Sequence, residues 1–101
     1  MTSKQLKEYK IRASDEIVNL IRGTHPQLKR KIKSALALIA TNPFTGKSLR
    51  DELTGLKSFR VSRFRIIYRI SSKYIIEIIA IGPRKTIYEE TYRIIKKDKS
   101  A

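Results

Sequence analysis

Between positions 57 and 73, arginine and lysine side chains offer the clearest chemistry in the chain. This stretch holds no acidic residue, and its basic residues are Lys57, Arg60, Arg63, Arg65, Arg69 and Lys73. Residues two apart on a strand share a face and lie about 6.5–7 Å from each other, close to the phosphate repeat of an extended nucleic-acid strand. A guanidinium group binds two phosphate oxygens at once. The pattern predicts an anion-binding face; the alternative is a solvated sheet face.

A second candidate is the corner Gly82-Pro83-Arg84, which Tyr88 follows. Arg84 could bind a scissile phosphate and stabilise the charge that develops during phosphoryl transfer. Tyr88 could stack on a base or transfer a proton. The alternative for Tyr88 is a core aromatic with a hydrogen-bonded hydroxyl, and Tyr92 competes for the functional role. RNA can be cleaved at such a site without a metal, because its own 2′-hydroxyl is the nucleophile.

Other catalytic chemistries have few residues to use. The chain has no Cys and one His, which excludes disulfides, thiolate metal sites and histidine clusters. His25 falls in a predicted turn between helices, far in sequence from the arginines. Glu77 is expected to form a structural ion pair, and Glu89 and Glu90 are expected to form salt bridges. We therefore expect no metal and no cofactor.

Composition limits the remaining possibilities. The 101 residues fit a single domain, 1–101, and the 41% hydrophobic content can form one core. The net charge of +14 favours a polyanionic partner. No apolar run is long enough to span a membrane, and the first residues do not resemble a signal peptide. The expected location is the cytoplasm.

Helices and strands are predicted from periodicity. Residues 6–12 alternate as a strand, with Leu6 and Lys7 at its start. Ser14 is expected to cap a helix that ends at Gly23, and Thr24 to cap a second helix that ends at Asn42-Pro43. The two helices form a hairpin that needs an apolar surface to cover, and the basic residues 29–33 are expected on its solvated side.

The second half of the chain supplies that surface. Residues 59–70 and 74–82 are predicted to be antiparallel strands joined by a turn at 71–73, and the second strand is nearly all apolar, as in a strand buried on both faces. A C-terminal helix is predicted over 86–97, and residues 96–99 are expected to be a mobile basic tail. The predicted class is α+β: a small antiparallel sheet, an N-terminal helical hairpin on one face, and a short C-terminal helix.

A set of short motifs in this half resembles the RelE/ParE superfamily of toxins from toxin–antitoxin systems. In order, the motifs are Lys47-Ser48-Leu49, Leu53-Thr54-Gly55-Leu56, Phe59-Arg60-Val61, residues 64–70, residues 79–84 and Tyr88. The resemblance implies a RelE-like fold and a small cognate antitoxin as partner. It also implies that the functional residues correspond to Arg60, Arg65, Arg84 and Tyr88, with Lys57, Arg63 and Arg69 as further contacts to nucleic acid.

Two activities are known for this superfamily, and a third function, which is not that of a toxin, is kept as an alternative. The resemblance to RelE-type members implies a ribosome-dependent endonuclease of mRNA, and the resemblance to ParE-type members implies an inhibitor of DNA gyrase without nuclease activity. Ser62 stands two positions after Arg60, where the RelE pattern has a basic residue, so the ParE-like alternative is kept. The third function is a basic nucleic-acid-binding module without toxicity.

Overall fold

A computed structural model describes residues 8–100, with side chains described for 8–97. Its elements follow the order β1 Lys10–Arg12, α1 Asp15–Arg22, α2 Pro26–Thr41, β2 Lys47–Ser48, β3 Lys57–Val61, β4 Phe64–Ser72, β5 Ile75–Pro83 and α3 Arg84–Ser100. Within this range the strands form a five-stranded sheet in the order β1-β5-β4-β3-β2. The predicted α+β class is confirmed.

The first strand differs from the prediction in length and direction. Strand β1 is confined to Lys10–Arg12, and the predicted positions Leu6 and Lys7 lie outside the described residues. It pairs in parallel with β5, whereas the other strand pairs are antiparallel. Between β1 and β5 the chain forms the helical hairpin and three strands. Parallel strands need a long connection of this kind.

The sheet is covered on both faces. The face that carries Ile66, Tyr68 and Ile76 packs against α1 and α2, through residues such as Ile32. Ile67 and Ala80 lie on the opposite face with Ile87 of α3. This confirms the prediction that the second, nearly all-apolar strand is buried on both faces.

A bulge interrupts the pairing of β5 with β4. Tyr68 pairs with Ile78, and the preceding Ile67 pairs with Ala80, so Ile79 is the extra residue. An extra residue reverses the alternation of faces after it. This explains why Ile78 and Ile81, three positions apart, both reach the core under α1 and α2.

The segment predicted as one strand over 59–70 is a hairpin of β3 and β4. The chain turns at Ser62 and Arg63, and Val61 pairs with Phe64. Ser62 adopts a positive φ of 58°, which a residue other than Gly, Asn or Asp seldom takes, so the sequence carried no turn signal. The next turn lies at Lys73-Tyr74, two residues later than the start predicted at Ser71.

A side chain caps the start of both α1 and α2, but the cap of α2 is a different residue from the one predicted. The Ser14 hydroxyl accepts the N–H of Ile17 and caps α1, as predicted. The cap of α2 is His25, whose Nδ1 accepts the N–H of Gln27, and not Thr24, whose hydroxyl donates to the carbonyl of Leu20. The prediction that Thr24 caps α2 was wrong, because an imidazole nitrogen can accept a backbone N–H at a helix start as a hydroxyl oxygen does.

The last helix is longer than predicted. Helix α3 begins at Arg84 and its backbone stays helical to Ser100, beyond the predicted end at Lys97, while the mobility expected for residues 96–99 stays a prediction. Its Arg, Lys and Glu residues are good helix formers, and it contains no Gly or Pro that would end the helix. None of the helices within residues 8–100 has the length and hydropathy to cross a lipid bilayer.

Tyr68 fixes the turn that leads from α2 into β2. Its hydroxyl is buried, donates to the carbonyl of Pro43 at 2.7 Å, and accepts the N–H of Gly46 at 3.0 Å. Burial raises the pKa of the Tyr68 hydroxyl above its usual value, and the hydrogen bond from Gly46 opposes that shift. Position 46 has room only for glycine, since a Cβ there would lie 2.5 Å from the Tyr68 hydroxyl.

Candidate functional site

The hairpin brings two of the predicted arginines together. Arg60 on β3 pairs directly with Arg65 on β4, and Arg65 pairs with Gly82 on β5. Residues opposite each other on neighbouring strands share a face with Cβ atoms about 4.5–5.5 Å apart, and like charges there are destabilising. Neither arginine forms a salt bridge with a described residue. The pair is therefore a concentrated positive site with no carboxylate at salt-bridge distance among the described residues.

Arg84 joins this pair through the backbone. The N–H of Arg84 donates to the carbonyl of Arg63 in the hairpin turn at 3.1 Å, so the first residue of α3 is tied to the hairpin. Gly82 allows α3 to pack closely on β5, because a Cβ at that position would lie 3.1 Å from Ile87. We call Arg60, Arg65 and Arg84 the arginine cluster. Arg60 and Arg84 are exposed and Arg65 is half-buried.

The side chain of Arg60 lies at an open sheet edge. Strand β2 pairs only with Lys57 and Ser58, so the edge of β3 that faces away from β4 has no paired strand from Phe59 onward. The Nε of Arg60 donates to the carbonyl of Ser62 at 3.3 Å. This places the guanidinium at the hairpin, where a ligand can reach it from solvent.

Tyr88 lies one turn after Arg84 and is anchored to the sheet. Its hydroxyl lies 3.2 Å from the hydroxyl of Ser58, and either oxygen can be the donor. Ser58 is 2% exposed, whereas Tyr88 is half-buried and packs with Leu56 and Ile67. The hydrogen bond joins α3 to β3 on the face that carries Arg60 and Arg65. Tyr92, the alternative tyrosine, is more exposed and has Lys96 above its ring.

The three further residues predicted to contact nucleic acid are placed differently from one another. Arg63 is exposed at the hairpin turn beside the arginine cluster. The Nζ of Lys57 donates to Ser48 at 2.9 Å and lies 5.6 Å from the ring centroid of Phe44, at the opposite end of β3. Arg69 lies four residues beyond Arg65 and binds Glu77 at 2.8 Å. The pairing of Glu77 confirms its expected structural role.

Sequence reasoning missed a contribution from α2. A groove of about 620 Å³ runs between α2 and the open edge of β3, and Arg60 shares its lining with Arg30 and Lys31. These two residues were expected on a solvated helix face. Their position around the same groove as Arg60 results from the packing of α2 beside β3, and spacing along the chain gives no signal for such packing.

A model of the ParE toxin family, described as the toxin of type II toxin–antitoxin systems of the parDE type, matches residues 8–88. The chain belongs to this family. The match covers all the strands, both helices of the hairpin and the start of α3 as far as Tyr88, so every residue of the arginine cluster lies inside it. A search of curated proteins finds no significant match.

Solved structures of RelE proteins share the fold of this ParE-family toxin. The RelBE2 complex of Mycobacterium tuberculosis has a chain 24% identical to it, with a TM-score of 0.67 over 78% of this chain and 94% of that one. A doubly arginine-substituted RelE of Escherichia coli in the free state is 19% identical, with a TM-score of 0.69 over 89% and 97%. The RelE–RelB complex of Pyrococcus horikoshii has a chain 19% identical to it, with a TM-score of 0.64 over 76% of this chain and 96% of that one.

Proposed function

We propose that this toxin cleaves mRNA on the ribosome, in the manner of RelE-type endonucleases. The observation that carries the proposal is the like-charge pair of Arg60 and Arg65, with Arg84 beginning its helix beside them. Two arginines face each other without a described carboxylate partner, and their repulsion would be relieved by a bound anion such as a phosphate.

In the proposed reaction the 2′-hydroxyl of the RNA loses its proton and its oxygen attacks the adjacent phosphorus to form a 2′,3′-cyclic phosphate. The bond from phosphorus to the 5′-oxygen breaks, and that oxygen takes up a proton. Arg60 and Arg65 would hold the phosphate, and Arg84 would stabilise the charge of the pentacoordinate phosphorus. Alignment of the 2′-oxygen with the leaving oxygen supplies much of the rate in such a step. Tyr88 is the candidate for stacking on a base or for proton transfer through its hydroxyl, which is hydrogen-bonded to the hydroxyl of Ser58.

The proposed partner is a cognate antitoxin. Two of the similar structures are complexes of a RelE toxin with its RelB antitoxin, from Mycobacterium tuberculosis and Pyrococcus horikoshii. The net charge of +14 favours an acidic antitoxin, whose carboxylates would cover the arginine cluster. Such a partner would block the same surface that the proposed RNA contacts use.

Induced expression in a bacterial host tests this function. We expect growth arrest with cuts in messages at codon spacing, seen by primer extension, and we expect Arg84→Ala to abolish both. Arg93→Ala is the matched control, because Arg93 is on the same helix and its guanidinium pairs with Glu89 on the solvent side. Intact messages in arrested cells would overturn the proposal.

A second function, inhibition of DNA gyrase, is favoured by one observation, the match to the ParE family model. It requires a protein-binding surface and no catalysis. Under this function the same arrested cells would show intact messages, altered plasmid supercoiling and induction of the DNA-damage response. The two functions are therefore separated by one expression experiment.

A further inference from the structure

A small pocket lies on the other side of the hairpin turn from the arginine cluster. It measures about 280 Å³ and is formed where α2 begins against the β3–β4 turn. Its lining consists of His25, Gln27, Leu28, Lys31, Ser62, Arg63 and Phe64. We call it the hairpin pocket. None of these described lining residues is acidic.

Several hydrogen-bond donors belong to this pocket. The Nδ1 of His25 accepts the N–H of Gln27 at 3.2 Å, so the neutral ring carries its proton on Nε2, a donor for which the described part of the chain offers no acceptor. Lys31 supplies an ammonium group and Arg63 a guanidinium, and both side chains are exposed. The carbonyl of Arg63 accepts the N–H of Arg84, which ties the pocket to the start of α3.

The hairpin pocket is continuous with the groove that holds Arg60. Gln27, Lys31 and Ser62 line both depressions. Arg60 lines the groove, and Arg63 in the turn lines the hairpin pocket, so anions bound in the two depressions would be neighbours. A nucleic-acid strand offers such neighbouring anions, because consecutive nucleotides each carry a phosphate.

We propose that the hairpin pocket binds a phosphodiester next to the one held by the arginine cluster, with Lys31, Arg63 and His25 as its donors. The pocket extends the contact with nucleic acid from the sheet onto the first turns of α2. The inference rests on the nucleic-acid substrate of the proposed function. It gives a binding role to His25 and Lys31, which the sequence placed in a turn and on a solvated helix face.

Binding of a non-cleavable oligonucleotide tests the pocket without requiring activity. The probe is a 2′-O-methyl uridine hexamer added to the purified chain, and the reporter is the imidazole NMR signal of His25, the single histidine. We expect that signal to shift on addition of the probe. We expect Lys31→Ala and Arg63→Ala each to weaken binding about fivefold, as for an exposed charge-assisted contact. Each should also reduce the slope of log K against log[salt] by about 0.7.

A matched control and a further test variant complete the design. Lys33→Ala removes an equal charge from the same helix at an exposed position that lines neither depression, so it should change affinity less than twofold. His25→Asn keeps a capping acceptor for α2 but removes the imidazole, so it should preserve stability while weakening binding.

Equal effects of Lys31→Ala and Lys33→Ala would overturn the proposal, because binding would then follow total charge. An unchanged His25 signal at saturating probe would also overturn it. If only an acidic peptide of polyglutamate shifts the signal, the pocket serves a carboxylate-bearing partner and the proposal is wrong. The proposed cleavage can fail separately, with the probe bound normally and messages intact.

Discussion

The hydrogen bond between Tyr88 and Ser58 predicts an unequal response to removing either hydroxyl. Tyr88→Phe leaves the hydroxyl of Ser58, which is 2% exposed, without a partner. An unsatisfied buried group costs about 1–3 kcal/mol, so we expect the free energy of unfolding to fall by about 2 kcal/mol. Ser58→Ala leaves the half-buried Tyr88 hydroxyl able to find water, so its expected cost is about 1 kcal/mol.

Urea unfolding followed by far-ultraviolet circular dichroism measures these changes, since the chain has no Trp. The double variant should be less destabilised than the sum of the two single variants, with a coupling of about 1 kcal/mol. A coupling below about 0.3 kcal/mol, or a larger loss for Ser58→Ala than for Tyr88→Phe, would refute the reasoning. In that case Tyr88 would not fasten α3, and with it Arg84, to the sheet.

Three further predictions concern the turn at Tyr68 and the pair at Arg69. The pKa of Tyr68 is raised in the folded state, so its neutral form stabilises the fold below pH 10. This contribution to the free energy of unfolding is lost as the pH rises through the folded pKa. Tyr68→Phe should therefore reduce the fall in the free energy of unfolding at alkaline pH. Gly46→Ala should cost about 2 kcal/mol, because its Cβ meets a fully buried Tyr68 ring; an unchanged urea midpoint would contradict this. Arg69→Ala should cost less than about 1 kcal/mol, since the Arg69–Glu77 pair is partly exposed, and should leave growth arrest intact; lost arrest in a stable variant would place Arg69 in the functional site.

The sequence located the arginines but not their arrangement. In one continuous strand over 59–70, Arg60 and Arg65 are an odd number of residues apart and would point to opposite faces. The turn at Ser62 and Arg63 makes them cross-strand neighbours on the same face. Ser-Arg is a weak turn signal, because Ser62 takes a positive φ that residues other than Gly, Asn and Asp seldom adopt.

Features that depend on local chemistry could be predicted from the sequence, and features that depend on long-range contacts could not. Capping by Ser14, the end of α2 at Asn42 and the apolar central strand depend on local chemistry and were predictable. The parallel pairing of β1 and the approach of Lys31 to the hairpin depend on contacts between distant parts of the chain. A single sequence holds no direct signal for such contacts.

Mapping of message 5′ ends in cells that express the triple variant tests the central claim most directly. The variant is Arg60→Ala, Arg65→Ala and Arg84→Ala in one chain, compared at equal soluble expression with the unaltered toxin and with Arg93→Ala. The account predicts codon-spaced cuts for the toxin and for Arg93→Ala, and intact messages for the triple variant. Cuts that persist without the arginine cluster would contradict it.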